Sequence, residues 1–296
     1  MQVLVTGGSG FVGRHVVSRL SGRGDEVRVV DLVPTPDDTV ECIVGDLRDR
    51  SVVEEAVKGV DAIVHLAALT SVLESVKNPH GVYETNVMAT EFLLDAARIN
   101  EVGRFVFASS NAVVGDVGRT SINEDSPLRP LTPYGATKAA AEMLMSASSS
   151  CYGIKTVALR FTNIYGAGMQ LKDSVIARLM RAAMTHGGIE IYGDGEQLRD
   201  YLYVTDAAAS IELGLSLEES DVITIGAAKS ISMNELLEFA REATGVSIGA
   251  THTPARSGEM PAVIVETTHA TERGFRPEYD ALAGLRATWA DFLARS

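Results

Sequence analysis

Two polar side chains four residues apart, Tyr134 and Lys138, are the best candidates for proton chemistry in this sequence. In a helix this spacing places both side chains on one face. A nearby ammonium stabilises a phenolate and lowers the pKa of a tyrosine from about 10 toward the range of a general base. The same spacing also occurs by chance in purely structural helices, so the pair alone leaves both interpretations open.

A second chemical signal is the glycine-rich run TGGSGFVG, which follows the first predicted strand. Gly7 and Gly10 allow a tight turn and a close approach of the backbone to a pyrophosphate, and Gly13 allows close packing of helix and strand. Such a run is weak by itself, but the next strand ends at Asp31, about 20 residues on, where a carboxylate binds ribose hydroxyls. Because a carboxylate there repels a 2'-phosphate, the pattern favours NAD over NADP.

Further candidates lie at the ends of two more predicted strands. Asp46 and Leu47 follow a short third strand, and a fourth strand, at 62–66, ends with His65, Leu66, Ala67 and Ala68. Taken singly, Asp46 is predicted to be a helix cap and His65 a packed core residue. Their joint position at the carboxyl ends of strands favours contact with a ligand.

Alternating strands and helices position these residues. Strands are predicted at 3–6, 27–31, 62–66, 104–109 and 155–161, and helices at 12–20, 52–57, 82–100 and 134–150. This order predicts an α/β fold with a Rossmann-like, doubly wound parallel sheet of six or seven strands. After Asn163, glycine-punctuated loops predict a smaller C-terminal substrate-binding lobe. We therefore expect an NAD-binding Rossmann domain at 1–165, rejoined by 200–226, and a mainly substrate-binding lobe at 166–296.

The composition of the 296-residue chain restricts its partners. A net charge of -13 repels a phosphate backbone, so DNA and RNA are not expected to bind. Cys42 and Cys151 stand in no metal-binding or disulfide spacing, and the histidines form no HxH or HxxxH pair, so no metal ion is expected. Since no charged leader and no membrane-spanning apolar run is found, we expect a cytoplasmic protein without a membrane partner.

Seven ordered motifs resemble those of extended short-chain dehydrogenases/reductases of the nucleotide-sugar epimerase/dehydratase family, the UDP-glucose 4-epimerase-like enzymes. The motifs span nearly the whole chain: TGGSGFVG, Asp31, HLAA, SSNAVVG, YGATK, RFTNIYG and YGDGEQLRDYLYVTD. The resemblance implies that Tyr134 is the catalytic base, that Lys138 holds the nicotinamide ribose and that Ser110 hydrogen-bonds the sugar hydroxyl. The cofactor-binding residues that it implies are Gly7, Gly10, Phe11, Val12, Gly13, Asp31, Asp46, Leu47, Leu66, Ala67, Ala68, Tyr134 and Lys138.

The resemblance also assigns a substrate-binding set, which adds Asn163, Arg199 and Arg256 to Ser110. These three would meet the diphosphate of a nucleotide sugar, since guanidinium groups bind phosphate oxygens in bidentate fashion. Exposed salt bridges are the other interpretation for both arginines. Arg199 lies within the matching GDGEQLRDY segment, whereas Arg256 stands in ARSGE, where relatives have an RxGD-like sequence.

The residues after Ser110 bear on the reaction. Family dehydratases carry an Asp-Glu pair there, whereas this chain has Asn111 and Ala112, which supply neither an acid nor a base. The resemblance therefore implies NAD-dependent 4-epimerisation of a UDP-hexose: UDP-glucose and UDP-galactose first, with UDP-GlcNAc or UDP-glucuronate as alternatives. Val114 replaces the tyrosine of relatives, which keeps a dehydratase or 4-keto reductase open. A non-catalytic NAD-binding regulator is a further alternative.

Family resemblance also predicts a homodimer. The helices predicted at 82–100 and 134–150 carry apolar residues on more than one face, among them Leu93 and Met143. Ordinary burial in the core is the alternative to pairing across a subunit interface.

Overall fold

A computed structural model describes residues 1–255 and 260–295 of the chain. Contacts divide the chain into two compact units, which are described separately. Unit 1 comprises Met1–Gly115, Glu124–Phe161 and Ala208–Thr224. Unit 2 comprises Asp116–Asn123, Thr162–Ala207 and Ile225–Ser296.

The regular elements follow one another in a mostly alternating order. The strands are β1 (Gln2–Thr6), β2 (Glu26–Asp31), β3 (Glu41–Val44), β4 (Ala62–His65), β5 (Arg104–Ser110), β6 (Ser121–Ile122), β7 (Lys155–Phe161), β8 (Asn163–Tyr165), β9 (Gly188–Tyr192), β10 (Leu198–Tyr203), β11 (Asp221–Ile225), β12 (Ser230–Ser232), β13 (Gly249–Thr253) and β14 (Ile264–Val265). The helices are α1 (Phe11–Gly22), α2 (Arg50–Ala56), α3 (Val72–Lys77), α4 (Pro79–Tyr83), α5 (Ala89–Ile99), α6 (Pro133–Tyr152), α7 (Val175–Met184), α8 (Val204–Ser216), α9 (Met233–Thr244), α10 (Thr268–Glu272) and α11 (Ala281–Ala294).

Unit 1 is built on a seven-stranded sheet in the order β3-β2-β1-β4-β5-β7-β11. Every neighbouring pair from β3 to β7 is parallel. The chain winds outward from β1 to β3 on one side and continues from β4 on the other, so the topological switch point lies between β1 and β4. The Rossmann-like, doubly wound sheet predicted from the sequence is thereby confirmed, and ligands of such sheets bind at the carboxyl ends of the strands beside this point.

The core of unit 1 forms where the sheet meets α5 and α6. Leu4, Ile63 and Phe105 on the strands and Leu93 and Met145 on the helices belong to one buried cluster, each at most 2% exposed. Apolar runs of this kind are typical of parallel strands buried on both faces. The sheet that carries the predicted site residues is therefore fixed by close packing.

The local sequence explains where α6 begins and ends. The Thr132 side chain accepts a hydrogen bond from the backbone N–H of Gly135, and Pro133 occupies the first turn. Gly153 ends the helix with a left-handed backbone, φ 73°, which glycine adopts without strain. Tyr134 and Lys138 therefore lie in the first two turns of a long helix, as their spacing predicts.

One predicted helix is interrupted. Where the sequence predicts a single helix at 82–100, the structure has α4 and α5 joined by a π-helical turn, Glu84–Met88. The Thr90 hydroxyl donates to the backbone carbonyl of Asn86 at 2.7 Å. π-helical turns occur frequently at functional sites, and this one places Asn86 in a buried hydrogen-bonded chain described below.

Unit 2 contains three small sheets, ordered β12-β10-β8, β13-β9 and β14-β6. β8 runs parallel to β10, with Asn163 opposite Tyr201. Tyr203 stacks on Tyr279 with ring centroids 4.2 Å apart, and the Asp206 carboxylate accepts the backbone N–H groups of Glu278 and Tyr279. Within the described part of the chain, none of the helices combines the length and the hydropathy that crossing a membrane requires.

Candidate active site

The glycine-rich run forms the turn between β1 and α1. Gly7 has a φ of 71°, and a Cβ there would lie 2.8 Å from the backbone nitrogen of Ala67. A Cβ on Gly13 would lie 2.0 Å from the carbonyl oxygen of Gly7. Only glycine fits at both places, so the backbone can form a close cradle for a pyrophosphate.

The first turn of α1 adds hydrogen-bond donors to this cradle. Gly10 is the N-cap residue and has no side chain to satisfy the backbone N–H groups, and neither Phe11 nor Val12 is acidic. An uncapped helix N-terminus of this kind favours an anion. The donor chemistry and the shape of this turn thus fit the pyrophosphate of NAD.

Asp31 lies beside the same turn, at the end of β2. One of its carboxylate oxygens accepts the backbone N–H of Ser9 at 3.1 Å, and the other accepts that of Val33 at 3.3 Å. These bonds fix the carboxylate next to the glycine-rich run while the side chain remains partly exposed. Such an acceptor suits the ribose hydroxyls predicted for this position.

The predicted residues after β3 have different environments. The Arg48 side chain binds the Asp46 carboxylate at 2.6 Å, and this hydrogen bond lowers the pKa of Asp46. Leu47 is buried in the core of unit 1. The interpretation of Asp46 as a helix cap is wrong, because Asp49 caps α2 through the backbone N–H of Ser51.

His65 is a packed core residue, as its sequence context predicts, and it is 1% exposed. The Thr6 hydroxyl accepts from the backbone N–H groups of Leu66 and Ala67, which leaves its own proton for His65 Nδ1, 2.7 Å away. On that assignment, Nε2 carries the imidazole proton and donates it to the Thr90 hydroxyl at 2.9 Å. Burial, with the charge of Lys138 second, lowers the pKa of His65 to about 3, so the ring is neutral.

This hydrogen-bonded chain continues to α6. The Asn86 amide donates to Leu69 O at 3.0 Å and to the Thr137 hydroxyl at 3.2 Å. Thr137 in turn donates to the backbone carbonyl of Tyr134 at 2.8 Å. Sequence reasoning missed Asn86, Thr90 and Thr137, although polar residues at buried helix positions are a usable signal. This series of hydrogen bonds joins Thr6 in the glycine-rich run to Tyr134, the residue predicted to be the base.

Ser110, Tyr134 and Lys138 come together where β5 ends beside α6. The Ser110 hydroxyl accepts the backbone N–H of Ala112 at 3.2 Å, and a hydrogen bond links Ser110 to the Tyr134 side chain. The Lys138 ammonium donates to the carbonyl oxygen of Ala108 at 2.7 Å and lies 4.5 Å from the ring centroid of Phe107. The three side chains thus form the constellation that the sequence predicts.

The pKa values differ from the sequence-based expectation. Burial raises the pKa of Tyr134, and the hydrogen bond with Ser110 opposes this shift only in part. Burial also lowers the pKa of Lys138 to about 7, which the charge of Glu142 opposes. The direction of the pKa shift for Tyr134 is therefore opposite to the one predicted from the sequence, because desolvation of the phenolate outweighs the hydrogen bond with Ser110.

Two predicted substrate-binding residues lie in unit 2. The Asn163 amide donates to the backbone carbonyl of Asp200 at 3.0 Å. The Arg199 guanidinium donates to the carbonyl oxygens of Leu198 at 2.8 Å and Met260 at 2.9 Å. Both side chains therefore donate hydrogen bonds to backbone carbonyl oxygens close to them. Arg256 lies outside the described residues.

The residues around Ser110 bear on the reaction. Asn111 and Ala112 begin a short 3-10 turn directly after β5. Val114, where the family resemblance implies a tyrosine, is buried at 1% exposure. Among residues 1–255 and 260–295, no three His, Cys, Asp or Glu side chains are grouped as a metal ion would require.

The switch point of the sheet, the glycine cradle and the Ser-Tyr-Lys constellation together define a dinucleotide-binding enzyme fold. The model of the NAD dependent epimerase/dehydratase family matches residues 3–226. The chain belongs to this family, which confirms the assignment made from its motifs.

Three individual proteins illustrate the similarity. A UDP-glucose 4-epimerase from Lactobacillus helveticus is 33% identical over 315 residues, covering 97% of this chain and 96% of the relative. A dTDP-glucose 4,6-dehydratase from Streptomyces niveus is also 33% identical, covering 97% of this chain and 91% of the relative. The crystal structure of a UDP-glucose 4-epimerase from Thermus thermophilus in complex with NAD is 32% identical, with a TM-score of 0.93 and full coverage of both chains.

Proposed function

We propose that the protein catalyses NAD-dependent 4-epimerisation of a UDP-hexose, with UDP-glucose and UDP-galactose as the first pair to test. The observation that carries this proposal is the constellation of Ser110, Tyr134 and Lys138 followed by Asn111 and Ala112. Its groups can move one hydroxyl proton, but the two residues after Ser110 offer no acid or base for removing water. The epimerases among the similar proteins support the same reaction.

Unit 1 holds the cofactor in this proposal. The turn at Gly7, Gly10 and Gly13 with the first residues of α1 binds the pyrophosphate, and Asp31 binds the adenosine ribose. The predicted cofactor set is completed by Asp46, Leu47, Leu66, Ala67, Ala68, Tyr134 and Lys138. NAD, when bound, supplies the reversible two-electron oxidation of the sugar at C4.

The residues of the chain move the proton. Ser110 hydrogen-bonds the C4 hydroxyl and Tyr134 accepts its proton, which Tyr134 later returns. Because burial raises the pKa of Tyr134, the phenolate needs positive charge nearby, and Lys138 one turn along α6 provides it. Rotation of the bound keto sugar before the hydride and the proton return would present its other face and give the inverted product.

In this proposal, Asn163 and Arg199 of unit 2 bind the diphosphate of the nucleotide sugar. Arg199 lies on β10 and its guanidinium is already oriented by two carbonyl oxygens, which reduces the entropy lost on binding a phosphate. Arg256 is proposed to join them. This proposal keeps the division of labour predicted from the sequence, with the cofactor on 1–165 and 200–226 and the sugar nucleotide mainly on 166–296, although Asn163 falls within the first range.

A nucleotide-sugar dehydratase is the second candidate, because the Streptomyces niveus relative is as identical to this chain as the Lactobacillus helveticus epimerase. Elimination of water requires a proton donor for the leaving hydroxyl and a base for the adjacent C–H. Asn111 and Ala112 can act neither as the proton donor nor as the base. A dehydratase would therefore need both groups from elsewhere in the chain. A product of altered mass would favour it.

Two further proposals concern the assembly and location. We propose a cytoplasmic homodimer in which α5 and α6 pair with their copies across the interface. Ile99 and Met143 on these helices are each 63% exposed, and a partner helix packed against them would remove this apolar surface from water. Sedimentation at micromolar concentration tests the dimer, and a monomer would contradict it.

The decisive experiment incubates the protein with UDP-glucose, UDP-galactose, UDP-GlcNAc and UDP-glucuronate separately and analyses the products by chromatography and mass spectrometry. We expect a product of unchanged mass from at least one donor, and loss of water would instead indicate the dehydratase. Tyr134→Phe should lower kcat roughly 100- to 10,000-fold, since this is the usual contribution of a general base. NAD content should fall much less than kcat in this variant, because Tyr134 is only one of the predicted cofactor-binding residues. Equal turnover in both proteins would contradict the assignment of Tyr134.

A further inference from the structure

Helix α6 holds the end of β5 through three successive turns. Its side chains at positions 134, 138 and 142 contact three consecutive residues of the strand. The pairs are Tyr134 with the Ser110 side chain, Lys138 with the Ala108 carbonyl, and Glu142 with the Ser109 hydroxyl. Positions i, i+4 and i+8 share one face of a helix, so the three contacts form a single ladder. The contacts of Tyr134 and Lys138 belong to the proposed active site. The third contact, that of Glu142, has not been assigned a role there.

The third rung is anchored by a buried ion pair. The Glu142 carboxylate accepts two bonds from Arg160, from Nη2 at 2.8 Å and from Nε at 3.1 Å. Each side chain is only 5% exposed. Arg160 lies on β7 directly opposite Ser109 on β5, and its Nη1 also donates to the carbonyl of Glu124 at 3.1 Å. The Glu142 carboxylate therefore ties α6 to the ends of β5 and β7 at once.

A buried pair of this kind rarely exists for stability alone. The cost of removing both charges from water usually offsets their attraction, and apolar residues of similar volume would stabilise the fold as well. What the pair provides is geometry, because a bidentate guanidinium and carboxylate fix both distance and orientation. The residue it fixes, Ser109, precedes Ser110 on β5, so a shift of the strand backbone at Ser109 also moves the predicted substrate-binding hydroxyl.

We propose that Glu142, anchored by Arg160, is a positioning residue of the active site that holds Ser109, and through it Ser110, in register with Tyr134 and Lys138. This inference rests on the proposed function, because it assigns Glu142 to the reaction of those three residues. Glu142 touches neither substrate nor cofactor in this assignment and acts only through its neighbours.

The same carboxylate has an electrostatic effect on Lys138. The charged and titratable groups around Lys138 are Glu142 and Tyr134 on α6, His65 at the end of β4, and Arg160 on β7 as the partner of Glu142. His65 is neutral and Tyr134 is protonated, so Glu142 supplies the negative charge that opposes the effect of burial on Lys138. Removing that charge must lower the pKa of Lys138 further and leave less ammonium at neutral pH.

Two substitutions separate the geometry from the charge. Ser109→Ala removes one rung and leaves the ion pair intact, whereas Glu142→Gln removes the charge and leaves an amide of the same shape. Glu91→Gln on α5 is the matched control, because it breaks an exposed pair with Arg50 at 3.4 Å. We expect Ser109→Ala to lower kcat about tenfold with KM for the UDP-sugar within about twofold, as loss of orientation predicts. The control should leave both constants unchanged.

The second measurement needs neither substrate nor cofactor. Lysine labelled with 13C at Cε is titrated by NMR, and the Lys138 signal is assigned by its loss in Lys138→Met. We expect a midpoint near pH 7 in the unmodified protein and a clearly lower midpoint in Glu142→Gln, with Glu91→Gln unchanged. A merely structural role would lower the melting temperature without moving this midpoint.

The outcomes are distinct. An unchanged kcat in Ser109→Ala overturns the proposal, and an unchanged Lys138 midpoint in folded Glu142→Gln contradicts the electrostatic effect of Glu142 on Lys138. If Glu142→Gln does not fold, kcat and KM of Ser109→Ala decide. If the unmodified protein converts no UDP-sugar, the proposed function fails, whereas the titration still reports whether Glu142 controls the charge of Lys138.

Discussion

The two units of the molecule hold their candidate site residues in different ways. In unit 1 the residues stand at the ends of long, buried parallel strands or on α6, and side chains hold side chains: Thr6 with His65, Ser110 with Tyr134, Glu142 with Arg160. In unit 2, Asn163 and Arg199 lie on strands of a small three-stranded sheet and donate to backbone carbonyl oxygens. The contacts that hold these candidate residues are thus side chain to side chain in unit 1 and side chain to backbone in unit 2.

This contrast predicts which substitutions affect several properties of the protein at once and which affect only one. Residues that share a hydrogen-bonded network are energetically coupled, whereas substitutions at distant sites with no shared partners usually have additive effects. We therefore expect changes in unit 1 to affect cofactor binding, turnover and stability together. Changes at the unit 2 residues should alter one binding constant and little else.

The largest effect is expected from Gly13→Ala. A Cβ at this position would lie 2.0 Å from Gly7 O and 2.7 Å from Gly8 Cα, so the glycine turn must shift. We expect loss of bound NAD and a destabilisation of roughly 3 kcal/mol, the upper end of the usual cost of overpacking. NAD content of the purified protein and urea unfolding measure the two effects.

Gly22→Ala is the control for this substitution, because it lies in the same helix and a Cβ there meets nothing within 4 Å. It should stabilise the protein by about 0.5–1 kcal/mol, the usual difference between alanine and glycine in a helix. If Gly13→Ala retained NAD and unfolded like Gly22→Ala, the cradle would not bind the cofactor as proposed.

A smaller and more local effect is expected from Arg199→Lys. Lysine keeps the charge but loses the planar fork that binds two oxygens. We expect KM for the UDP-sugar to rise roughly tenfold, about 1.4 kcal/mol, with kcat, NAD content and unfolding free energy close to those of the unmodified protein. Steady-state kinetics test this, and a fall in kcat with unchanged KM would break the proposed contrast between the units.

Sequence reasoning predicted unit 1 well because its signals are local. A glycine-rich run after a strand, Asp31 at the end of the next strand and the Tyr134–Lys138 spacing each depend on a few neighbouring residues, and the alternation of strands and helices fixes their place in the sheet. The predicted family and fold were confirmed in this way.

What escaped prediction depends on distant contacts. The bond between Ser109 and Glu142 joins residues 33 positions apart, and that between Asn86 and Thr137 joins residues 51 apart. The pKa of Tyr134 was predicted in the wrong direction because the pattern shows the nearby lysine but not the burial. Periodicity indicates which face of a helix is buried, but not which side chain from another element it meets.

The effect expected at His65 is spread over a range of pH and is measured per pH unit. Above pH 6.5 the histidine is neutral in both the folded and the unfolded chain, so it does not contribute to the pH dependence. Between pH 6.5 and about 3, the unfolded chain binds a proton that the folded chain does not, because burial lowers the pKa of His65. The free energy of unfolding should therefore fall by up to about 1.4 kcal/mol per pH unit across this window. Urea unfolding from pH 7 to pH 4 should give a shallower slope in His65→Gln, which cannot titrate; equal slopes would show that His65 does not stay neutral inside unit 1.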